Sequence, residues 1–297
     1  MRVVIGGASG FLGSALTEHL RSGGHQVTRL VRSGESADDA SPWDPSGGHV
    51  DQSVIDGADA VVNLSGSSIS KWPRTKGRKR ELLQSRLCAT TTLSKAVAAA
   101  PSPPALISGS AMAWYGSDRG AEVLTEASAP GEGFLADVVH AWEEAAQPAV
   151  DGGARVCFAR TSLVLDADHG ILALMLPAWK LGGGAKLGDG RQYMSLISLN
   201  DWLRAVTFLI ESPDASGPFN LAMPGASTNA EFTDALGKAV HRPTFLAAPK
   251  FALKAALGGA ADDLLGSLRL SPAALLDAGF SFEQPDLTSV LAAAVGR

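Results

Sequence analysis

The chain has 297 residues, 45% hydrophobic and 19% charged, with a formal net charge of -5. Those proportions suit a soluble, well-cored protein, either one large α/β domain or a core with a smaller partner. The acidic balance argues against general affinity for nucleic acid or an anionic membrane, and with only two cysteines, Cys88 and Cys157, neither a disulfide framework nor a zinc cluster is expected. The first apolar residues belong to a strand rather than a signal peptide, and the longest uncharged apolar run, 170–179, is about half the length of a bilayer span. The expected location is the cytoplasm.

Residues 2–5 read as a short apolar strand. Residues 11–21 read as a helix with Leu12, Ala15, Leu16 and Leu20 on one face. Between them runs Gly7-Ala8-Ser9-Gly10-Phe11-Leu12-Gly13. A glycine-rich turn between strand and helix lets the backbone approach a pyrophosphate, which then faces the free N–H groups and positive end of the helix. In that context the stretch is a dinucleotide-binding signal. Gly7, Ser9, Gly10, Phe11, Leu12 and Gly13 are the expected contacts.

The second strand, 26–32, ends on Arg32, where a dinucleotide fold meets the adenine ribose. An acidic residue there would accept from the 2′-hydroxyl, whereas an arginine suits a 2′-phosphate, so NADPH is expected in preference to NADH. Arg29 points the same way unless strand alternation turns it to the other face, and a solvated strand-end arginine is the alternative reading of Arg32. Residues 33–48 are expected to form a mobile loop. The next buried strand, 59–64, runs into Leu64-Ser65-Gly66, small enough to let the backbone lie along a cofactor ribose, or simply a strand-to-loop turn. A helix over 77–100 begins with a basic, solvated stretch and is stopped by Pro101, Pro103 and Pro104. Strands at 105–110 and 155–165 follow, with a helix over 134–150 between them that Pro148 can bend.

Strands alternating with helices predict a parallel sheet covered on both faces. The expected architecture is a Rossmann-type doubly wound α/β fold. Residues 1–165 form an NADP-binding core to which 196–221 return, and 166–297 form a smaller C-terminal substrate lobe. In that lobe, helices are expected over 230–240, with Asn229 as N-cap, and over 250–268.

Ser108-Gly109-Ser110-Ala111 and then Trp114-Tyr115-Gly116 stand at a strand's carboxyl end. Together with Gly-Gly-Ala-Ser-Gly-Phe-Leu-Gly at 6–13, Gly-Ala-Asp-Ala-Val-Val-Asn-Leu-Ser-Gly at 57–66 and Gln-Ser-Arg at 84–86, they carry a family likeness. Ala-Trp-Glu at 141–143, Arg-Thr-Ser-Leu-Val-Leu at 160–165, Gly-Asp-Gly-Arg-Gln-Tyr-Met at 188–194 and the segments 216–221 and 278–286 extend it over essentially the whole chain. The chain resembles an atypical extended short-chain dehydrogenase/reductase of the epimerase-family branch, the nucleoside-diphosphate-sugar epimerase-like proteins with a C-terminal extension. The resemblance implies a nicotinamide cofactor, with Arg86 and Ser110 among its contacts, and Ser110 near the family's substrate-oriented hydroxyl.

It also implies a tyrosine acid/base with a lysine four residues on. Setting the family's helix glutamate on Glu143 puts Leu135 and Val139 at those places, and a one-residue shift gives Ala136 and His140. That helix contains no tyrosine; the chain has only Tyr115 and Tyr193. Ser110 could donate to a developing alkoxide. Tyr115 is a second candidate proton donor, provided a cation lowers its pKa from about 10, and a structural tyrosine is the alternative. His140, Glu143 and Glu144 read as helix-surface or capping residues. Trp72, in Lys71-Trp72-Pro73-Arg74, and Arg191, in a glycine-hinged loop, are candidate substrate contacts, Arg191 for a carboxylate or phosphate. Both stretches read equally as surface loops. Relatives often carry a histidine where Ser198 stands, so no role of that imidazole passes to this chain.

Three functions stay open. The first is an NADPH-dependent oxidoreductase on a small carbonyl or hydroxyl substrate, with Ser110 or Tyr115 moving the proton. The second is a sugar-nucleotide epimerase. The third is a non-catalytic NADPH sensor or scaffold. The expected partner is a small-molecule substrate, with no metal, nucleic acid or membrane, and the chain a monomer or homodimer.

Overall fold

A computed structural model describes residues 1–32, 37–69, 73–258 and 260–296. The chain divides into two compact units, the first made of residues 1–110, 137–159 and 206–218, the second of 111–136, 160–205 and 219–297.

The first unit opens with β1 (Arg2–Gly6), α1 (Phe11–Ser22), β2 (Gln26–Val31), β3 (Ala40–Asp44), β4 (His49–Val50) and α2 (Gln52–Asp56). It continues through β5 (Ala60–Asn63), α3 (Lys76–Ala99) and β6 (Ala105–Ala111). After β7 (Val123–Leu124), which pairs in the second unit with Arg269–Leu270, come α4 (Phe134–Glu144), α5 (Gln147–Asp151) and β8 (Val156–Thr161). The main sheet has the order Gly217–Leu221, β8, β6, β5, β1, β2, β3, β4. From β6 to β3 the pairing is parallel, and β4 is antiparallel to β3. Strand order reverses between β1 and β5, the kind of switch point where open α/β sheets hold ligands.

Central strands here read as apolar runs because helices cover both sheet faces. Val3, Val4 and Ile5 of β1 and Val61 and Val62 of β5 are all buried. Leu30, Trp43, Ile55, Leu93, Val97 and Leu106 complete the cluster around Val4 and Val61.

Several local expectations need correction. Residues 33–36 lie outside the described residues, but 40–44 of the supposed mobile loop form β3, anchored by the buried Trp43. Pro42 is tolerated because β4 pairs only with Trp43 and Asp44, so no ladder bond is asked of it on that side. The helix over 134–150 is two helices: Pro148 has no N–H for the carbonyl of Glu144, so α4 ends there and α5 restarts with the proline in its first turn. The strand over 155–165 breaks at Ser162, whose N–H and hydroxyl both donate to the carbonyl of Leu221. Of the residues expected to return to the sheet, Gly217–Leu221 does so, whereas Leu196–Ser198 pairs with Leu163–Leu165.

The second unit packs Leu165, Leu172, Leu176, Trp179, Phe232 and Leu291 into its own core. Helix Asn229–Ala239 is capped by Thr228, in a reciprocal box with Glu231, rather than by Asn229. The Asn229 side chain instead accepts from the N–H of Leu187 at 2.8 Å. The single helix expected over 250–268 is divided into Lys250–Leu257 and Ala260–Leu265, with Gly258 at φ 54° between them. Among the described residues, no helix is long and apolar enough to cross a membrane.

Candidate functional site

The turn after β1 is built for close backbone approach. Gly7 has φ +83°, and a Cβ there would sit 2.7 Å from the Leu64 carbonyl group. A Cβ on Gly13 would run into the Gly7 carbonyl, so this glycine seats α1 against the turn. Gly10 differs: a Cβ there would meet only the Gly7 oxygen, at 3.4 Å, and its outer face is open. Gly10 is the N-cap of α1 and brings no side chain to the helix end, so the first turn lacks a side-chain cap. Across the switch point, Leu64 donates its N–H to the Gly6 carbonyl at 2.9 Å, which sets Leu64-Ser65-Gly66 beside the glycine turn. The Ser65 hydroxyl is buried with no hydrogen-bond partner. The open helix end, the unfilled face of Gly10 and this orphaned hydroxyl fit the pyrophosphate and ribose of a dinucleotide.

Arg32, at the end of β2, is exposed, as a residue must be to meet a ribose phosphate from outside the sheet. Arg29 is differently employed. Its Nε and Nη2 hold both oxygens of Asp39, at 3.0 and 2.9 Å, and Arg21 joins the same carboxylate.

At the carboxyl end of β6, the Ser110 hydroxyl donates to Oε1 of Glu143, on α4, at 2.6 Å. Both residues are buried, so Glu143 is not the solvated or capping residue the sequence suggested, whereas Glu144 is exposed. Val139 is buried and Leu135 half-buried at the places where the family's tyrosine and lysine were sought. Trp142 packs beside this pair. A Cβ on Gly109 would lie 3.0 Å from its ring, so glycine is required where the indole crosses β6. On the indole lies the guanidinium of Arg86, its carbon 4.9 Å from the ring centroid, an attraction that strengthens with burial.

Tyr115 belongs to the second unit and is fully buried. Its hydroxyl donates to Oδ1 of Asn220 at 2.7 Å and accepts from Nη1 of Arg160 at 3.1 Å. Burial pushes its phenol above the usual value in spite of the Arg160 charge. That environment suits a structural tyrosine and leaves an accessible proton donor without support. The same arginine lies 3.9 Å over the Trp114 ring. Arg191 is exposed directly after the turn Gly188–Gly190, with its N–H donating to Asp189. Trp72 and Lys71 lie outside the described residues. Ser198 donates to Gln284 at 2.8 Å and accepts from the N–H of Asp201, a helix-start role. Among the described residues no group of histidine, cysteine and carboxylate side chains could hold a metal.

The chain matches the NAD dependent epimerase/dehydratase family over residues 3–222 and a domain of unknown function, DUF1731, over 248–294. It is 44% identical to an epimerase family protein of Mycobacterium bovis, over 99% of this chain and 98% of that one. The solved structure of human epimerase family protein SDR39U1 with NADPH superposes with a TM-score of 0.91 at 31% identity, over the whole of both chains. A nucleoside-diphosphate sugar epimerase from Corynebacterium glutamicum superposes at 0.83 with 34% identity, covering all of this chain and 58% of that one. With that match over most of its length, and full-length relatives above 30% identity, the chain belongs to the NAD dependent epimerase/dehydratase family.

Proposed function

We propose that this protein binds NADPH and acts as an oxidoreductase on a small carbonyl or hydroxyl substrate, with the Ser110–Glu143 pair in place of the missing tyrosine and lysine. The buried 2.6 Å hydrogen bond between these two side chains is the observation that carries the reading. Gly7, Gly10 and Gly13, with the first turn of α1, would hold the pyrophosphate; Ser65 and Gly66 a ribose; Arg32 the 2′-phosphate. Support for NADPH comes from the human relative, solved with that dinucleotide over the full length of the chain. Bound there, it supplies a hydride to a carbonyl carbon.

Ser110 and Glu143 move the proton. The serine oxygen, its own hydrogen directed at the carboxylate, can take a proton from a substrate hydroxyl as it passes its own to Glu143. In the opposite direction a protonated Glu143 returns one through Ser110. Proton transfer by a positioned side chain is worth about 10²–10⁴-fold in rate. A loss of roughly that size in kcat is expected for Ser110→Ala and Glu143→Gln, with NADPH affinity unchanged in Glu143→Gln.

Calorimetric titration with NADPH and NADH, followed by a carbonyl screen, tests the whole reading. Arg32→Asp should weaken NADPH much more than NADH; equal losses would remove Arg32 from the 2′-phosphate. Gly10→Val should keep the fold, since its Cβ direction is open, and lose the dinucleotide, because on this reading the pyrophosphate would occupy that same space. The apolar residues at 135 and 139 favour a second reading, an NADPH sensor. Tight NADPH binding with no turnover in either direction would select it. Interconversion of sugar nucleotides without release of cofactor would select the epimerase.

A further inference from the structure

Arg86 is a buried cation without an anion. It is 7% exposed, and Nη1 donates to the carbonyls of Leu82, at 3.0 Å, and Ser67, at 3.2 Å. Among the described residues no carboxylate pairs with it, and Nε and Nη2 meet no acceptor. The charged neighbour that acts on it is a second cation, Arg78, and burial together with that repulsion brings its pKa down to about 10. A second polar group close by is also unsatisfied: Nε1 of Trp142, whose ring lies beneath the guanidinium. Buried charges are normally paired, because an unpaired one loses its hydration without compensation. Two side chains able to donate, set together without an acceptor, form a receptor for an acceptor-rich group.

We propose that Arg86, backed by Trp142, receives the carboxylate of the substrate, so that the carbonyl compound reduced here is an oxo acid rather than a neutral aldehyde or ketone. The inference rests on the oxidoreductase reading above and names its substrate class. The edge of the guanidinium left over, Nε with Nη2, is the edge that meets both oxygens of a carboxylate in parallel hydrogen bonds. The dinucleotide's own anions already have receptors in the first turn of α1 and in Arg32. Arg86 therefore serves a second molecule, in place of the cofactor contact that family resemblance implies.

The full chain, with and without saturating NADPH, is titrated calorimetrically with oxamate and with its neutral analogue oxamide. Oxamate binds and oxamide does not. Arg86→Gln weakens oxamate at least tenfold while changing NADPH affinity less than twofold. Arg86→Lys, which keeps the charge and loses the fork, falls between the two. Failure of the wild type to bind oxamate overturns the proposal, as does unchanged oxamate affinity in Arg86→Lys and Arg86→Gln. A tenfold loss of NADPH affinity in Arg86→Gln also overturns it, by placing the cation on the cofactor. A wild type that takes oxamate in an Arg86-dependent way but no NADPH keeps the anion site and removes the oxidoreductase reading instead.

Discussion

Cys157 and Cys88 differ in what their sulfurs meet. Cys157 is fully buried, its thiol donates to the Ala215 carbonyl at 3.1 Å, and burial pushes its pKa up to about 11. Cys88 is half-buried on α3. Because the thiolate is the reactive form, a disulfide reagent at about pH 8 should modify one thiol of the native chain, Cys88, and reach Cys157 only after denaturation. Rapid modification of both would contradict the packing of β8. Asp39 makes the opposite case: its hydrogen bonds to Arg29 and Arg21 hold its carboxyl well below the ordinary value of 3.8. A pKa lowered by folding contributes stability above the unfolded value and loses it as pH falls through the folded one. Asp39→Asn should thus lower the melting temperature near neutrality, and its gap to the wild type should narrow from about pH 5 toward pH 3. A gap that does not vary with pH would mean the two arginines gain nothing from the charge. At this scale the glycine turn after β1 was readable because its geometry is local: a backbone conformation fixed by glycines close in sequence. Glu143 was not, since its partner Ser110 stands on another element and nothing in the 3.6-residue pattern of α4 separates a carboxylate aimed at a hydroxyl from one aimed at water.

Among the elements, β3 shows how a single large side chain can outweigh an unpromising sequence. Ala-Ser-Pro-Trp-Asp has weak strand propensity and a proline, which is why residues 33–48 read as a loop. Trp43 is nevertheless 5% exposed within the cluster of Val4, Leu30 and Val61, and burying an indole offsets the poor local preference of its neighbours. Trp43→Ala should cost about 3–5 kcal/mol in urea denaturation. A loss below about 1 kcal/mol would show that β3 is held by its ladder bonds with β2 and not by the ring. The break between α4 and α5 was partly readable, since Pro148 announces it. Its position at Glu144 follows from the rule that a proline disrupts the hydrogen bond four residues back. β1, α1 and β5 were readable because apolar runs and glycine stops agree with the tertiary environment they enter.

The chain as a whole is woven rather than strung. It leaves the first unit after Ser110, returns at Asp137, leaves again after Ala159 and returns over Val206–Pro218. Sequence reading placed one boundary near residue 165, because the alternation of strands and helices stops there; a boundary crossed several times leaves no single change of composition to find. Arg155 shows what the last return supplies. Its Nη1 donates to the carbonyls of Leu209 and Ala215 at 2.8 and 2.9 Å, and Nη2 to that of Ile210 at 2.9 Å. Ala215 also accepts from Cys157. A fragment cut at the apparent boundary, residues 1–165, would strip these acceptors from a half-buried guanidinium and leave β8 without its outer neighbour, Gly217–Leu221. An uncovered sheet edge and a cluster of unmet donors are each costly against the small net stability of a domain. The fragment should therefore lack a cooperative thermal transition and should not retain NADPH, although it contains the entire glycine turn. The full chain should melt cooperatively, at a temperature that NADPH raises. A fragment that melted cooperatively and responded to NADPH would show that the first unit closes without its returning strand, and that the crossings serve the second unit alone.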